Sequence, residues 1–146
     1  MPQASAHRVT SGARMQLPDA STFWELLERR VEATPDAIML IDEHEASISY
    51  SAYRAAAEHV AAGLFEQGVR EQSRVSFQLP TRIGTVVLMG ALARLGAVQN
   101  PIVPIYRERE VAFCLEETRA EWLVVARGAR PLDDGVLRAG TSHDYH

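Results

Sequence analysis

The sequence predicts an α/β fold, a partial parallel sheet with helices on both faces. Three observations carry that expectation. From Arg74 to Ala126, strand-like and helix-like segments alternate, the order that a parallel sheet with crossover helices requires. Helix punctuation is placed to match: Thr22 with Glu25, then Pro35, Gly68 and Gly96. Finally, Ile83 to Ala93 runs eleven residues without a charge between Arg82 and Arg94. A membrane span needs about 20 apolar residues, so this run reads as a buried helix and the chain as having no transmembrane segment.

The elements follow in order. Thr22 and Glu25 have capping-box spacing, and Phe23, Leu26, Leu27 and Val31 continue at helical spacing. Pro35 ends that helix near Thr34. Ala37 to Ile41 and Ser47 to Tyr50 are short strands joined by the polar turn Asp42 to Ala46, a hairpin. Ser51 is placed to cap a second helix, with Tyr53, Ala57, Val60, Ala61 and Leu64 on its apolar face and Gly68 at its end. Arg74 to Leu79 is a strand, Thr81 to Leu95 a helix, and Ala97 to Val103 extended. Pro101 and Pro104 limit the ladder bonding of that third segment. Arg107 to Thr118 is a helix and Glu121 to Ala126 a strand.

The helix from Thr81 is apolar on two sides: Ile83, Val86, Val87 and Gly90 on one, Leu88, Leu92 and Leu95 on the other. The chain's own sheet covers one side. If Leu88, Leu92 and Leu95 stay exposed, about 5–9 kcal/mol of burial is forgone, against a typical stability of about 5–15 kcal/mol. The expectation is an unfinished core that associates, with a second copy or with the remainder of a larger fold.

Residues 1–20 read as a disordered N-terminal tail, 21–127 as the folded unit, and 128–146 as a loop or frayed tail. Residues 1–18 lack the apolar run of a secretory signal and show no clear amphipathic face, so a cytoplasmic location is expected. Cys114 is the single cysteine, which excludes an internal disulfide. The hydrophobic fraction of 47% and the charged fraction of 23% exclude a mainly disordered chain and a collagen. The net charge of −4 supplies no basic footprint for nucleic acid. All 15 basic residues are Arg. Without Lys there is no phosphate-loop Lys, Schiff base or Lys general base.

Local chemistry is sparse. Gly84, Gly90 and Gly96 belong to helix packing and termination, and Thr10-Ser11-Gly12 is an isolated scrap of a phosphate loop. His143 and His146 beside Asp144 are a weak metal pair in the tail, and His44 sits among acids at a hairpin tip. Glu116 and Glu117 are adjacent on a helix and diverge. No catalytic, cofactor or metal residue is assigned. One positional candidate remains, because open α/β sheets hold ligands beyond the carboxyl ends of their strands. Those places carry Thr81, Arg82, Asn100 and Pro101. Thr81 and Arg82 also open a helix, where free N–H groups favour anions; the plainer reading makes Thr81 a helix cap.

Three stretches now point further: Ala33-Thr34-Pro35-Asp36-Ala37 after the opening helix, Ile48-Ser49-Tyr50-Ser51-Ala52-Tyr53, and Gly90-Ala91-Leu92-Ala93-Arg94-Leu95-Gly96-Ala97-Val98 running into Asn100-Pro101-Ile102-Val103-Pro104-Ile105-Tyr106. In order and spacing the chain resembles the N-terminal part of the large domain of AMP-forming acyl-CoA synthetases. These belong to the adenylate-forming superfamily, with luciferases and peptide-synthetase adenylation domains. The second and third stretches resemble its first two core motifs. The Asn100 to Glu110 version is most like ligases of cyclic or medium-to-long acyl acids. The resemblance implies ligase chemistry of fatty-acid metabolism: ATP activates a carboxylic acid as an acyl-adenylate, and the CoA thiol then displaces AMP. It implies ATP, Mg2+ and CoA for the full-length family, none of them bound by this chain alone. The family's Ser/Thr/Gly-rich loop ending in Pro-Lys-Gly, its adenine motif, hinge Asp and catalytic Lys have no counterpart in this sequence. A truncated, split or partial synthetase is therefore the first expectation, and a non-catalytic interaction or binding module that keeps the scaffold is the alternative.

Overall fold

The computed structural model describes residues 19–126 and the backbone of 136–138. Helix α1 (Phe23–Ala33) leads into the hairpin β1 (Ile38–Ile41) and β2 (Ser47–Ser49), then α2 (Tyr50–Gln67), β3 (Arg74–Gln78), α3 (Ile83–Leu95), β4 (Val98–Pro101), α4 (Glu108–Thr118), β5 (Trp122–Val125) and β6 (Val136–Arg138). The tail expected over 1–20 and the sites at Thr10 to Gly12 and His143 to His146 lie outside the described residues, except for Asp19 and Ala20.

The main sheet has the order β4-β3-β5-β6. The first three strands are parallel, with Ser76 beside both Asn100 and Leu123, as the alternation predicts. Strand β6 runs antiparallel against β5, so the segment expected to be loop over 128–146 contains a strand. Three residues are too short a run to show a period; the open edge of β5 is what organises them.

Side-chain alternation sends β-strand residues to two different cores. Val75, Phe77, Trp122 and Val124 meet Ala61, Leu64, Leu88, Ala91 and Leu92 from α2 and α3. Leu123 and Val125 meet Val111 and Leu115 of α4 on the opposite face, with Ile102. A third cluster joins Trp24, Leu27 and Val31 of α1 to Tyr53, Ala57 and Val87, with Met39, Leu40 and Ile48 of the hairpin packed against it.

These clusters overturn the expectation that Leu88, Leu92 and Leu95 stay exposed. Leu88 and Leu92 are buried, Leu92 completely, and Leu95 packs partly buried on the same core. They face the sheet, while Val87 faces the layer made by α1 and the hairpin. The covering layer is α1 with the hairpin, and α1 turns in a different stripe from the one its spacing suggested. Its inward stripe is Trp24, Leu27 and Val31, and Phe23 and Leu26 are exposed instead.

Local signals explain the boundaries. Thr22 Oγ1 accepts the Glu25 N–H at 3.1 Å, and the Glu25 carboxylate accepts the Ser21 N–H at 2.8 Å. That bond, followed by the Arg29 guanidinium, holds the Glu25 carboxyl below its ordinary pKa. Ser49, not Ser51, caps α2 by accepting the Ala52 N–H. The chain passes from strand to helix without a linker, since Tyr50 and Ser51 already donate to Ala37 and Pro35 carbonyls. Gly68 ends α2 at φ 108°, a left-handed conformation that a side chain disfavours.

The tightest contact joins α2 to α3. The Tyr53 hydroxyl donates to the Val86 carbonyl at 2.8 Å, and its ring lies where a Cβ on Gly90 would stand 2.8 Å from Cζ. Gly90→Ala is expected to cost about 1–3 kcal/mol through overpacking, because the buried ring has nowhere to go. Gly63 of α2 has open space around it, so Gly63→Ala is expected to gain about 0.5–1 kcal/mol. Opposite shifts in urea midpoint check the pair; equal shifts would remove the role given to Gly90. Burial also pushes the Tyr53 hydroxyl above its ordinary pKa, and the Gly90 backbone offsets part of that. The native state then keeps a proton that the unfolded chain releases near pH 10, so stability falls as pH rises above that value. Tyr53→Phe is expected to lack this alkaline component, read as a stability gap between the two proteins that changes between about pH 8 and about pH 11.

Candidate functional site

The carboxyl ends of β3, β4 and β5 lie on one edge of the sheet because the strands are parallel. This is the edge at which open α/β folds hold ligands. The four positional candidates reach it in different ways.

Thr81 and Arg82 are exposed ahead of α3. Thr81 does not cap the helix. The N-cap is Arg82, extended at φ −142°, with no side-chain cap bond. Its carbonyl accepts the Thr85 and Val86 N–H groups, and the Thr85 hydroxyl donates to the Pro80 carbonyl at 2.6 Å. The turn is tied from inside the helix, which leaves the Arg82 side chain free of a capping duty. Arg82 is thus an exposed charged residue at the start of α3.

Asn100 turns inward. Its amide donates to Ser76 Oγ at 2.9 Å, with Thr118 Oγ1 at 3.5 Å, and Thr118 in turn donates to the Cys114 carbonyl at 2.7 Å. Ser76 is fully buried in the central strand. A buried hydroxyl without a partner costs about 1–3 kcal/mol, so the Asn100 amide satisfies β3 and helps fix α4 over the sheet. Pro101, at the exposed end of β4, pairs in register with Phe77.

A residue that the sequence reading passed over organises this edge. Gln78 Nε2 donates to the Val103 carbonyl at 3.1 Å and to the Tyr106 carbonyl at 2.8 Å. The Tyr106 N–H closes the same turn on the Val103 carbonyl, and the Ile102 N–H binds the Phe77 carbonyl. One amide thus holds Val103 and Tyr106, and the Phe77 carbonyl holds Ile102, fixing the strap from Ile102 to Tyr106 across the end of β3. Ile102 is buried beneath it, while Val103, Ile105 and Tyr106 are exposed. The available signal was a polar residue closing the apolar strand Val75 to Leu79.

The other sequence candidates stay apart. Asp42 Oδ1 accepts the His44 and Ala46 N–H groups, so His44 belongs to an exposed turn. Cys114 is half-buried on α4, and Glu116 and Glu117 are exposed there. Among the described residues no three His, Cys, Asp or Glu side chains gather as metal ligands.

The family model described as AMP-binding enzyme matches residues 27–144. The chain is 32% identical over 114 residues to the medium-chain fatty-acid–CoA ligase of Escherichia coli, a match covering 76% of this chain and 20% of that protein. It is 32% identical over 102 residues to gramicidin S synthase 2 of Brevibacillus brevis, covering 70% of this chain and 2% of that protein. In fold it superimposes on the N-terminal subdomain of Klebsiella oxytoca NpsA with a TM-score of 0.69 at 21% identity, covering 71% of this chain and 26% of that one. The chain thus spans about a fifth of the fatty-acid ligase it matches. Match, motif order and topology agree, and the chain belongs to the AMP-binding enzyme family, as an N-terminal region of its adenylate-forming members.

Proposed function

We propose that this chain is the N-terminal portion of the large domain of an AMP-forming acyl-CoA synthetase. It supplies the scaffold for ATP-dependent activation of a carboxylic acid to an acyl-adenylate and then to an acyl-CoA. The observation that carries this reading is the strap sequence from Asn100 to Glu110, which resembles that of acyl-CoA ligases for cyclic or medium-to-long acids. The match to a medium-chain fatty-acid–CoA ligase supports it. The match to gramicidin S synthase 2 favours a second reading, adenylation within a peptide synthetase. Both readings share the first chemical step, activation of an acid as its adenylate.

In either reading this chain positions and does not catalyse alone. Adenylate formation depends on charge stabilisation and alignment of phosphates, and the sequence has no Lys and no glycine-rich phosphate loop. Its partner is then the remainder of the synthetase, which brings the groups that handle ATP, Mg2+ and CoA. We place that pair in the cytoplasm, with fatty-acid metabolism as its setting.

The purified chain is expected to show no acid-dependent ATP–pyrophosphate exchange. Co-expression with the segment encoded directly downstream, carrying a Ser/Thr/Gly-rich loop ending in Pro-Lys-Gly, is expected to produce exchange with medium-chain fatty acids. Exchange by the chain alone would overturn the scaffold role. Exchange by the pair with amino acids but not fatty acids would select the peptide-synthetase reading. A downstream sequence without that loop in any frame would overturn both and leave a non-catalytic binding module.

A further inference from the structure

We propose that the turn Val103 to Tyr106 is a hinged flap over the carboxyl end of β3, latched by the Gln78 amide and opening as one unit. The proposal is independent of the reaction assigned above. Both ends of the flap are anchored. Ile102 is buried, and its N–H binds the Phe77 carbonyl. On the other side the Arg107 N–H donates to the Glu110 carboxylate at 3.1 Å, and the Arg107 carbonyl accepts the Val111 N–H at 2.9 Å. Between these anchors, the hydrogen bonds from the flap to another element among the described residues are the two that Gln78 donates, to the Val103 and Tyr106 carbonyls.

The flap has the build of a rigid piece with a weak seal. Its own Tyr106 N–H closes on the Val103 carbonyl at 3.0 Å, and Pro104 fixes φ at the second position of that turn. Neither feature depends on Gln78, so the turn keeps its shape when the latch lets go. Apolar packing does not hold it down. Val103, Ile105 and Tyr106 are 51%, 80% and 43% exposed, so opening carries little further apolar surface into water. Two neutral hydrogen bonds near the surface favour closure about 10- to 100-fold. The open form is then about 1–10% of the molecules, a population from which a ligand can select. Local opening of this kind belongs to segments with few buried contacts. Its hinges lie at the Ile102–Val103 and Tyr106–Arg107 junctions. Opening uncovers the end of β3 on the edge where open α/β sheets hold ligands.

NMR relaxation dispersion on the full chain, labelled with nitrogen-15 and carbon-13, tests the flap. The wild type is expected to show one microsecond-to-millisecond process shared by Val103, Ile105 and Tyr106 and absent from Ile102 and Val111. Gln78→Met keeps the length of the side chain and removes its donors. It is expected to raise the ratio of open to closed at least tenfold, moving the signals of the three flap residues toward the shifts of the wild-type minor form. The signals of Val111 and Leu123 are expected to stay in place. A wild-type flap without dispersion would overturn the proposal, and that measurement stands without the variant. So would a process that spreads at the same rate to Ile102 and Val111, which is fraying of the whole segment, or a Gln78→Met flap whose signals do not move.

Discussion

The structure depends on burying one helix on both sides. Helix α3 has no charge from Ile83 to Ala93, so its two long apolar sides both need cover. The sheet takes Leu88, Ala91 and Leu92, and α1 with the hairpin covers Val87. Helix α2 lies in both cores, through Tyr53 and Ala57 on one side and Ala61 and Leu64 on the other. The Tyr53 contact with Val86 and Gly90 is where the two helices come closest. A side chain at Gly90 would separate them and so loosen both cores. Gly90 sits in the helix interior for this contact, against the usual propensity cost of glycine there.

Most of the fold was legible because its elements are locally consistent. Gly68 and Gly96 adopt the left-handed conformation at the ends of α2 and α3, and Pro35 follows the Thr34 cap of α1. The parallel order followed from alternation, since strands joined by crossover helices have few other arrangements. What was not legible depended on long-range partners. Trp24 carries no more periodic signal than Phe23 or Leu26, and the third layer selected it. Ser49 and Ser51 are equally good capping residues by type; the Ala37 and Pro35 carbonyls decide between them by fixing where the strand becomes helix. Strand β6 exists through its pairing with β5.

The candidate site divides along the same line. Sequence position put Asn100 near the carboxyl edge and missed Gln78, and their opposite orientations decide their roles. Asn100 faces α4 and completes a buried polar chain with Ser76 and Thr118. Gln78 reaches forward and fixes the strap. Thus the residue that resembles a family motif serves the interior, and a residue outside the quoted motifs shapes the edge. Motif membership marks what keeps the scaffold in register here. Among the positional candidates, Arg82 is the exposed charged residue.

The correction at α3 also moves the open part of the molecule. Met89 is the exposed large apolar side chain of α3 among the described residues; others lie on α1, at the ends of β1, at Phe65 of α2 and at Phe113 of α4, and four follow one another from β4 into the strap, Val98, Val103, Ile105 and Tyr106. Strand β4 pairs with β3 alone among the described residues, and its Pro101 limits what could pair along its outer edge. An edge blunted this way resists indiscriminate strand addition while leaving the neighbouring strap accessible. The sheet edge and the outer face of α4 are therefore different kinds of surface. The first is irregular backbone held by one glutamine; the second is a regular helix.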